Sequence, residues 1–96
     1  MSYTLADGLL LHAEHPDTFE IPSEADKAAV NVGDYVKLIF QQGGAMSERM
    51  WVLVTEVDGD KLRGTLSNEP INMWALKHGD EVLFGTEHIV TVLDRT

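Results

Sequence analysis

The dipeptide Asp58-Gly59 constrains this chain more than any other feature, because it sits between two alternating runs in "ERMWVLVTEVDGDKLRGTLSNEP", residues 48–70. A tight two-residue hairpin turn needs positive φ, which Gly adopts freely and Asp tolerates better than most residues. The spacing therefore predicts two antiparallel strands. Pairing Val57 with Asp60 sets Glu56 opposite Lys61, an opposite-charge cross-strand pair. It also sets Thr55 opposite Leu62, Leu53 opposite Gly64 and Trp51 opposite Leu66. Trp51, Leu53, Val57, Leu62 and Leu66 then form the core face, with Met50, Val52 and Val54 against Arg63 and Thr65 on the other. A three-residue bulged turn would shift the register and exchange the faces; the charge pairing favours the two-residue form. Gly64, in mid-strand, marks a bend or a close backbone approach.

The rest of the chain divides near Val32. In residues 5–14 ("LADGLLLHAE") the apolar positions 5, 9 and 13, with 6 and 10 beside them, fit one face of a short helix that Pro16 limits; a strand over "LLLHA" is the alternative. "DTFEIP" reads as extended. Ser23 is a helix N-cap, with Glu24 and Asp26 at the positive end of the dipole, and the helix ends by Asn31. "GDYVKLIFQ" alternates, Val36, Leu38 and Phe40 against Tyr35, Lys37, Ile39 and Gln41. Residues 73–78 suit one helical turn stopped by Gly79, followed by strands over "DEVLF" and "EHIVTVL". "VGDYV" at 32–36 is echoed by "HGDEV" at 78–82, which predicts the same turn chemistry used twice. These elements describe one mainly β (α+β) domain. It is a small five-stranded, partly closed SH3-like barrel over 32–94, carrying a mixed segment, 1–31, with one or two short N-terminal helices. An OB-like or open α+β sheet is the alternative.

Charge narrows function. Sixteen acidic against seven basic residues give a net charge of −9, and no basic cluster offers the cationic footprint that nucleic acid or an anionic membrane requires. A basic protein or peptide partner would be electrostatically favoured, and the simpler reading is that the charge keeps the domain soluble. No run approaches the roughly 20 apolar residues of a membrane span, and residues 1–15 lack the basic start of a signal peptide. Cysteine is absent, which is compatible with a reducing cytoplasm.

Residues 48–70 followed by "LKHGDEVLFGTEHI" resemble the YegJ-like group of small bacterial domains of unknown function. The matching positions are Met50, Trp51, Val52, Val54, Asp58, Gly59, Gly64, Leu66, Asn68, Pro70, Leu76, Lys77, Gly79 and Asp80. In place of that group's acidic-aromatic ending, this chain has "VLDRT". The resemblance implies a bacterial source and a shared scaffold, and it brings no activity with it.

No catalytic set emerges from the residues themselves. The serines lack a strained nucleophile setting, and Gly43-Gly44 lacks the Lys-Ser/Thr and helix of a phosphate loop. His12 and His15, spaced i, i+3 and followed by Asp17, are the nearest approach to a metal site. His78 with Asp80, or His88 with Glu87, would have to complete it, and surface histidines are the simpler reading. No metal and no cofactor are expected. Recognition is the stronger reading. Arg49 begins a strand beside a loop, Asn68 closes a turn by bonding its own backbone, Glu69 is left exposed, and Trp74 follows. The expected function is non-catalytic protein or peptide binding at the end formed by residues 41–48, Arg49, 68–70 and Trp74. The alternative is a small enzyme or ligand- or metal-binding domain using Arg49, Glu69 and a histidine.

Overall fold

The computed structural model describes residues 3–43, 47–71, 73 and 75–93. In chain order its elements are β1 (Thr4–Leu5), α1 (Gly8–Glu14), α2 (Glu24–Ala28), β2 (Tyr35–Gln41), β3 (Glu48–Asp58), β4 (Lys61–Leu66), β5 (Glu81–Gly85), a 3₁₀ turn (Thr86–His88) and β6 (Thr91–Val92). All pairings are antiparallel in the order β1-β2-β3-β4-β5, and β6 shares with β1 the edge of β2 that faces away from β3. The sheet curls so that Tyr3, Thr4 and Leu5 meet Glu81 and Leu83 across a seam. The result is the expected small β domain: a nearly closed five-stranded barrel with two short helices. Its first strand comes from residues 4–5, while "EHIVTVL" splits into the 3₁₀ turn and the two-residue β6. No helix forms over 73–78 among the described residues, yet Gly79 does adopt φ +91°.

The hairpin differs from the expected register. Asp58 pairs with Lys61, Val57 with Leu62 and Glu56 with Arg63; then Thr55 is bulged out, and Val54 pairs with Gly64 and Val52 with Leu66. The central turn residues are Gly59 and Asp60, and Gly59 alone has positive φ, +63°, which is the II′ pattern and not I′. This register makes two opposite-charge pairs where the expected one made a single pair. It also exchanges the faces of β3. Met50, Val52 and Val54 are buried with Leu62 and Leu66, Trp51 and Leu53 are half-buried on the outside, and Val57 is exposed.

Inside the barrel, Val36, Leu38 and Phe40 of β2 meet Met50, Val52 and Val54 of β3, with Leu66, Val82, Phe84 and Ile89 closing the cluster. Full burial of each such side chain contributes roughly 1.5–3 kcal/mol. Met73 and Leu76 join it from an irregular segment. A second, smaller cluster lies outside the sheet, where Ala6, Ile39 and Val90 pack with Leu11 and Phe19. The buried side of α1 is therefore Gly8 and Leu11, and Leu9 and Leu10 are exposed, opposite to the 5-9-13 face expected. The N-caps are Asp7, accepting from Leu10 N–H, and Ser23, accepting from Asp26 N–H.

The two Gly-Asp segments repeat one another atom for atom. Asp34 N–H donates to Asn31 O, Asp34 Oδ2 accepts from Asn31 N–H, and Gly33 sits at φ +96°. Asp80 N–H donates to Lys77 O, Asp80 Oδ2 accepts from Lys77 N–H, and Gly79 is at φ +91°. Positive φ at the third position of each is the type II requirement. The anticipated reuse of one turn is correct.

Two consequences are measurable. A Cβ on Gly64 would lie 2.5 Å from Val52 Cγ1 and 2.5 Å from Leu53 O. Gly64→Ala is thus expected to lower the unfolding free energy by about 1–3 kcal/mol, read from urea denaturation; an unchanged midpoint would mean that β3 can recede. At the seam, the Tyr3 ring packs on Phe40 with centroids 5.5 Å apart, and burial, followed by the charge of Asp80, holds its phenol above the usual value. The folded state keeps that proton longer than the unfolded chain, so stability is full below about pH 10 and falls as pH rises beyond it. Thermal unfolding between about pH 8.5 and 11.5 should show a loss that is smaller in Tyr3→Phe.

Candidate functional site

Because β3 presents its odd-numbered residues outward, Arg49, Trp51 and Leu53 form a line facing Ile39, Lys37 and Tyr35 of β2. The first part of this outer face is covered: Phe19 and Leu11 lie over Ile39, and the Arg49 guanidinium rests 5.4 Å from the Phe19 ring centroid. Beyond that cover Tyr35, Lys37, Trp51 and Leu53 are half-buried. Tyr35, Trp51, Ser67 and Leu93 border a hollow of about 270 Å³. The Lys37 ammonium lies 4.6 Å from the Trp51 ring centroid, a cation–π contact that props the indole.

Hydrogen bonds fix Trp51 from below. Its N–H donates to Asn68 Oδ1, and its carbonyl accepts from Ser67 N–H at 2.9 Å. Asn68 therefore does not close a turn on its own backbone, as expected; its amide replaces a main-chain acceptor and carries the β3–β4 ladder past Leu66. Glu69 is exposed, as anticipated, and Arg49 is exposed. Trp74 lies outside the described residues. Arg49 and Asn68 are thus brought together around a residue that sequence reasoning placed in the core. The signal for Trp51 is the double charge pairing taken with a bulge: Asp58 opposite Lys61 and Glu56 opposite Arg63 set Val57 beside Leu62, and the extra residue Thr55 then turns Val54 and Val52 inward and the indole outward.

The segment after Asn68 is held by two further side chains. The Glu48 carboxylate accepts from Ile71 N–H at 3.0 and 3.1 Å, and Gln42 Oε1 accepts from Ala75 N–H at 3.0 Å. These contacts join Ile71 to the start of β3 and Ala75 to Gln42, just past the end of β2. Of the histidines considered for a metal, His12 donates from Nδ1 to Phe19 O at 2.6 Å, and His88 Nδ1 accepts from Gly85 N–H at 2.9 Å.

A second, larger depression of about 690 Å³ borders the hollow, Leu93 lining both. It runs between residues 20–22, α2 and residues 90–93, and among the described residues its charged lining is Glu20, Asp26 and Asp34, with no Lys or Arg. Asp34 is buried and already accepts from Asn31 N–H, whereas Glu20 and Asp26 are exposed. The arrangement offers an aromatic shelf with an anionic extension. No helix of the described residues is long and apolar enough to cross a membrane.

The family model described as "Uncharacterized protein conserved in bacteria (DUF2314)" matches residues 20–93, which takes in β2 to β6, the shelf and the groove, and leaves β1 and α1 outside. Neither the curated proteins nor the solved structures contain a match to the chain.

Replacing Asn68 by Ala removes the acceptor of the Trp51 N–H while leaving the donor in place. Asn68→Ala should destabilise by about 1–2 kcal/mol and alter the near-UV signal of the indole, and Asn68→Asp, which keeps an acceptor oxygen, should recover most of both. Equal losses in the two variants would show that the bond has no anchoring role.

Proposed function

The chain belongs to that bacterial family, and we propose that it is a non-catalytic module that binds a protein or peptide segment on the outer face of β2 and β3. The observation that carries this reading is the placement of Trp51. A small domain ordinarily gains most from its large aromatics by burying them. Here the indole lies half-buried on the outer face, with an open edge beside Tyr35, above a fixed backbone and against the Lys37 ammonium. Tryptophan and arginine dominate binding hot spots, and a preorganised aromatic loses little freedom when a partner covers it. Arg49 extends the surface at one end of β3, Glu69 extends it beyond Asn68, and Asn68 acts as a positioning residue. The resemblance to the YegJ-like group and a cytoplasmic setting accord with this reading, and the net charge of −9 favours a basic partner.

A random peptide library displayed on phage and panned against the wild-type domain tests the proposal. Enriched peptides are expected to bind Trp51→Ala at least about tenfold more weakly and Arg49→Ala moderately more weakly, with circular dichroism confirming that both variants fold. Affinity should fall as salt rises from about 50 to 500 mM, because the attraction between exposed charges is screened. Failure to enrich any sequence, or equal binding by Trp51→Ala, overturns the reading.

A further inference from the structure

Resting on that binding face, we propose a specific occupant: a segment in polyproline II conformation carrying a Lys or Arg close to a proline. Its proline ring sits between Tyr35 and Trp51, and its cation lies in the groove bordered by Glu20 and Asp26.

Spacing is the first support. The pairs Lys37–Trp51 and Tyr35–Leu53 make Tyr35 and Trp51 diagonal neighbours on one face, roughly 7–8 Å apart. The hollow of about 270 Å³ that both aromatics border has room for one saturated ring in van der Waals contact with them.

Hydrogen-bond chemistry is the second. The indole N–H of Trp51 and the phenol of Tyr35 have no protein partner among the described residues. A polyproline II chain makes no internal hydrogen bonds and presents its carbonyls outward, and proline removes donors from it. Two unpaired donors beside a slot for a ring match a ligand that is rich in acceptors. The same conformation is already extended before binding, so little chain entropy is lost.

Charge selects the flank. Among the described residues, the groove that continues from the hollow past Leu93 has the charged lining Glu20, Asp26 and Asp34 and no Lys or Arg. A basic side chain is drawn there and an acidic one is repelled. Two other occupants fit less well. A free quaternary ammonium would compete with the Lys37 ammonium already over the Trp51 ring. A strand added to β6 would find only the two residues Thr91 and Val92 to pair with.

The test is a titration of the ¹⁵N-labelled domain, followed by NMR, with synthetic peptides of about ten residues. The parent peptide contains Pro-x-x-Pro and two arginines; in one control the prolines are alanine, and in another the arginines are glutamate. The parent should saturate, shifting the Trp51 indole signal together with backbone signals of Tyr35, Glu20, Asp26 and Leu93. Each control should bind at least about tenfold more weakly. Glu20→Lys combined with Asp26→Lys should weaken the parent peptide and spare the glutamate control; both carboxylates are exposed, and circular dichroism checks that the variant folds. If the alanine control binds as well as the parent, or if the parent leaves the Trp51 and Tyr35 signals unmoved, the inference is wrong. If library-selected peptides of another composition still shift those signals, the inference alone fails. If no peptide shifts them, the binding reading fails as well.

Discussion

The close approach of β3 to Gly64 is the contact on which the rest of the molecule depends. Val52 and the carbonyl of Leu53 occupy space that any Cβ at position 64 would need. That contact is made only when Val54 stands opposite Gly64, two residues before the bulge-shifted pair Glu56–Arg63. Between those pairs Thr55 bulges out, and bulges increase local twist. Extra twist at this point helps curl an eleven-residue strand around a barrel only a few side chains wide. Register, curvature and core are consequently one decision. With β3 in this phase, Met50, Val52 and Val54 fill the interior and the bulky indole stays outside.

The repeated Gly-Asp turn secures both flanks of that hairpin. Beside β3, Gly33 N–H donates to Val54 O while Asp34 O accepts from Val54 N–H; beside β4, Gly79 N–H donates to Leu66 O while Asp80 O accepts from Leu66 N–H. Each turn therefore exchanges two hydrogen bonds with one hairpin residue and then launches the strand that pairs with it, β2 along β3 and β5 along β4. The Asp carboxylate binds the turn's own first N–H, which leaves that backbone donor satisfied in a tight corner. A four-residue device is thus used where two strands must begin at a defined register. The short length of the sequence echo is sufficient, because the device ends where the strand begins.

Much of this was legible in the residues. The caps at Asp7 and Ser23 follow from side chains competing for free helix N–H groups, although Asp7 was passed over because the apolar spacing was taken to start at Leu5. The alternation in β2 was unambiguous because one face is uniformly Val, Leu and Phe. The alternation in β3 was ambiguous, since Met50, Val52 and Val54 and also Trp51, Leu53 and Val57 are apolar sets, and size favoured burying the tryptophan. What decides between them is non-local: a glycine on the neighbouring strand, and two charge pairs that a bulge makes compatible with the core. Asn68 was misjudged for a similar reason. Its partner is the N–H of a residue 17 positions away, and local turn chemistry is the only role that sequence adjacency suggests.

This separation of inside from outside also explains how the domain can carry a recognition surface without weakening its core. Complete burial of a tryptophan removes about 150–250 Å² from water. With at least about two-thirds of that already gained against the sheet, a partner covering the remainder would contribute at most about 2 kcal/mol, the threshold of a hot spot. Folding does not forfeit that amount, because the interior is filled by Val, Leu, Met and Phe from alternate positions. The link between the two layers is the backbone of residue 51, held by Asn68 and Ser67 from β4's extension. The backbone under that side chain is therefore held by the same ladder that closes the barrel, and a ligand of the proposed kind would meet a shelf already in place.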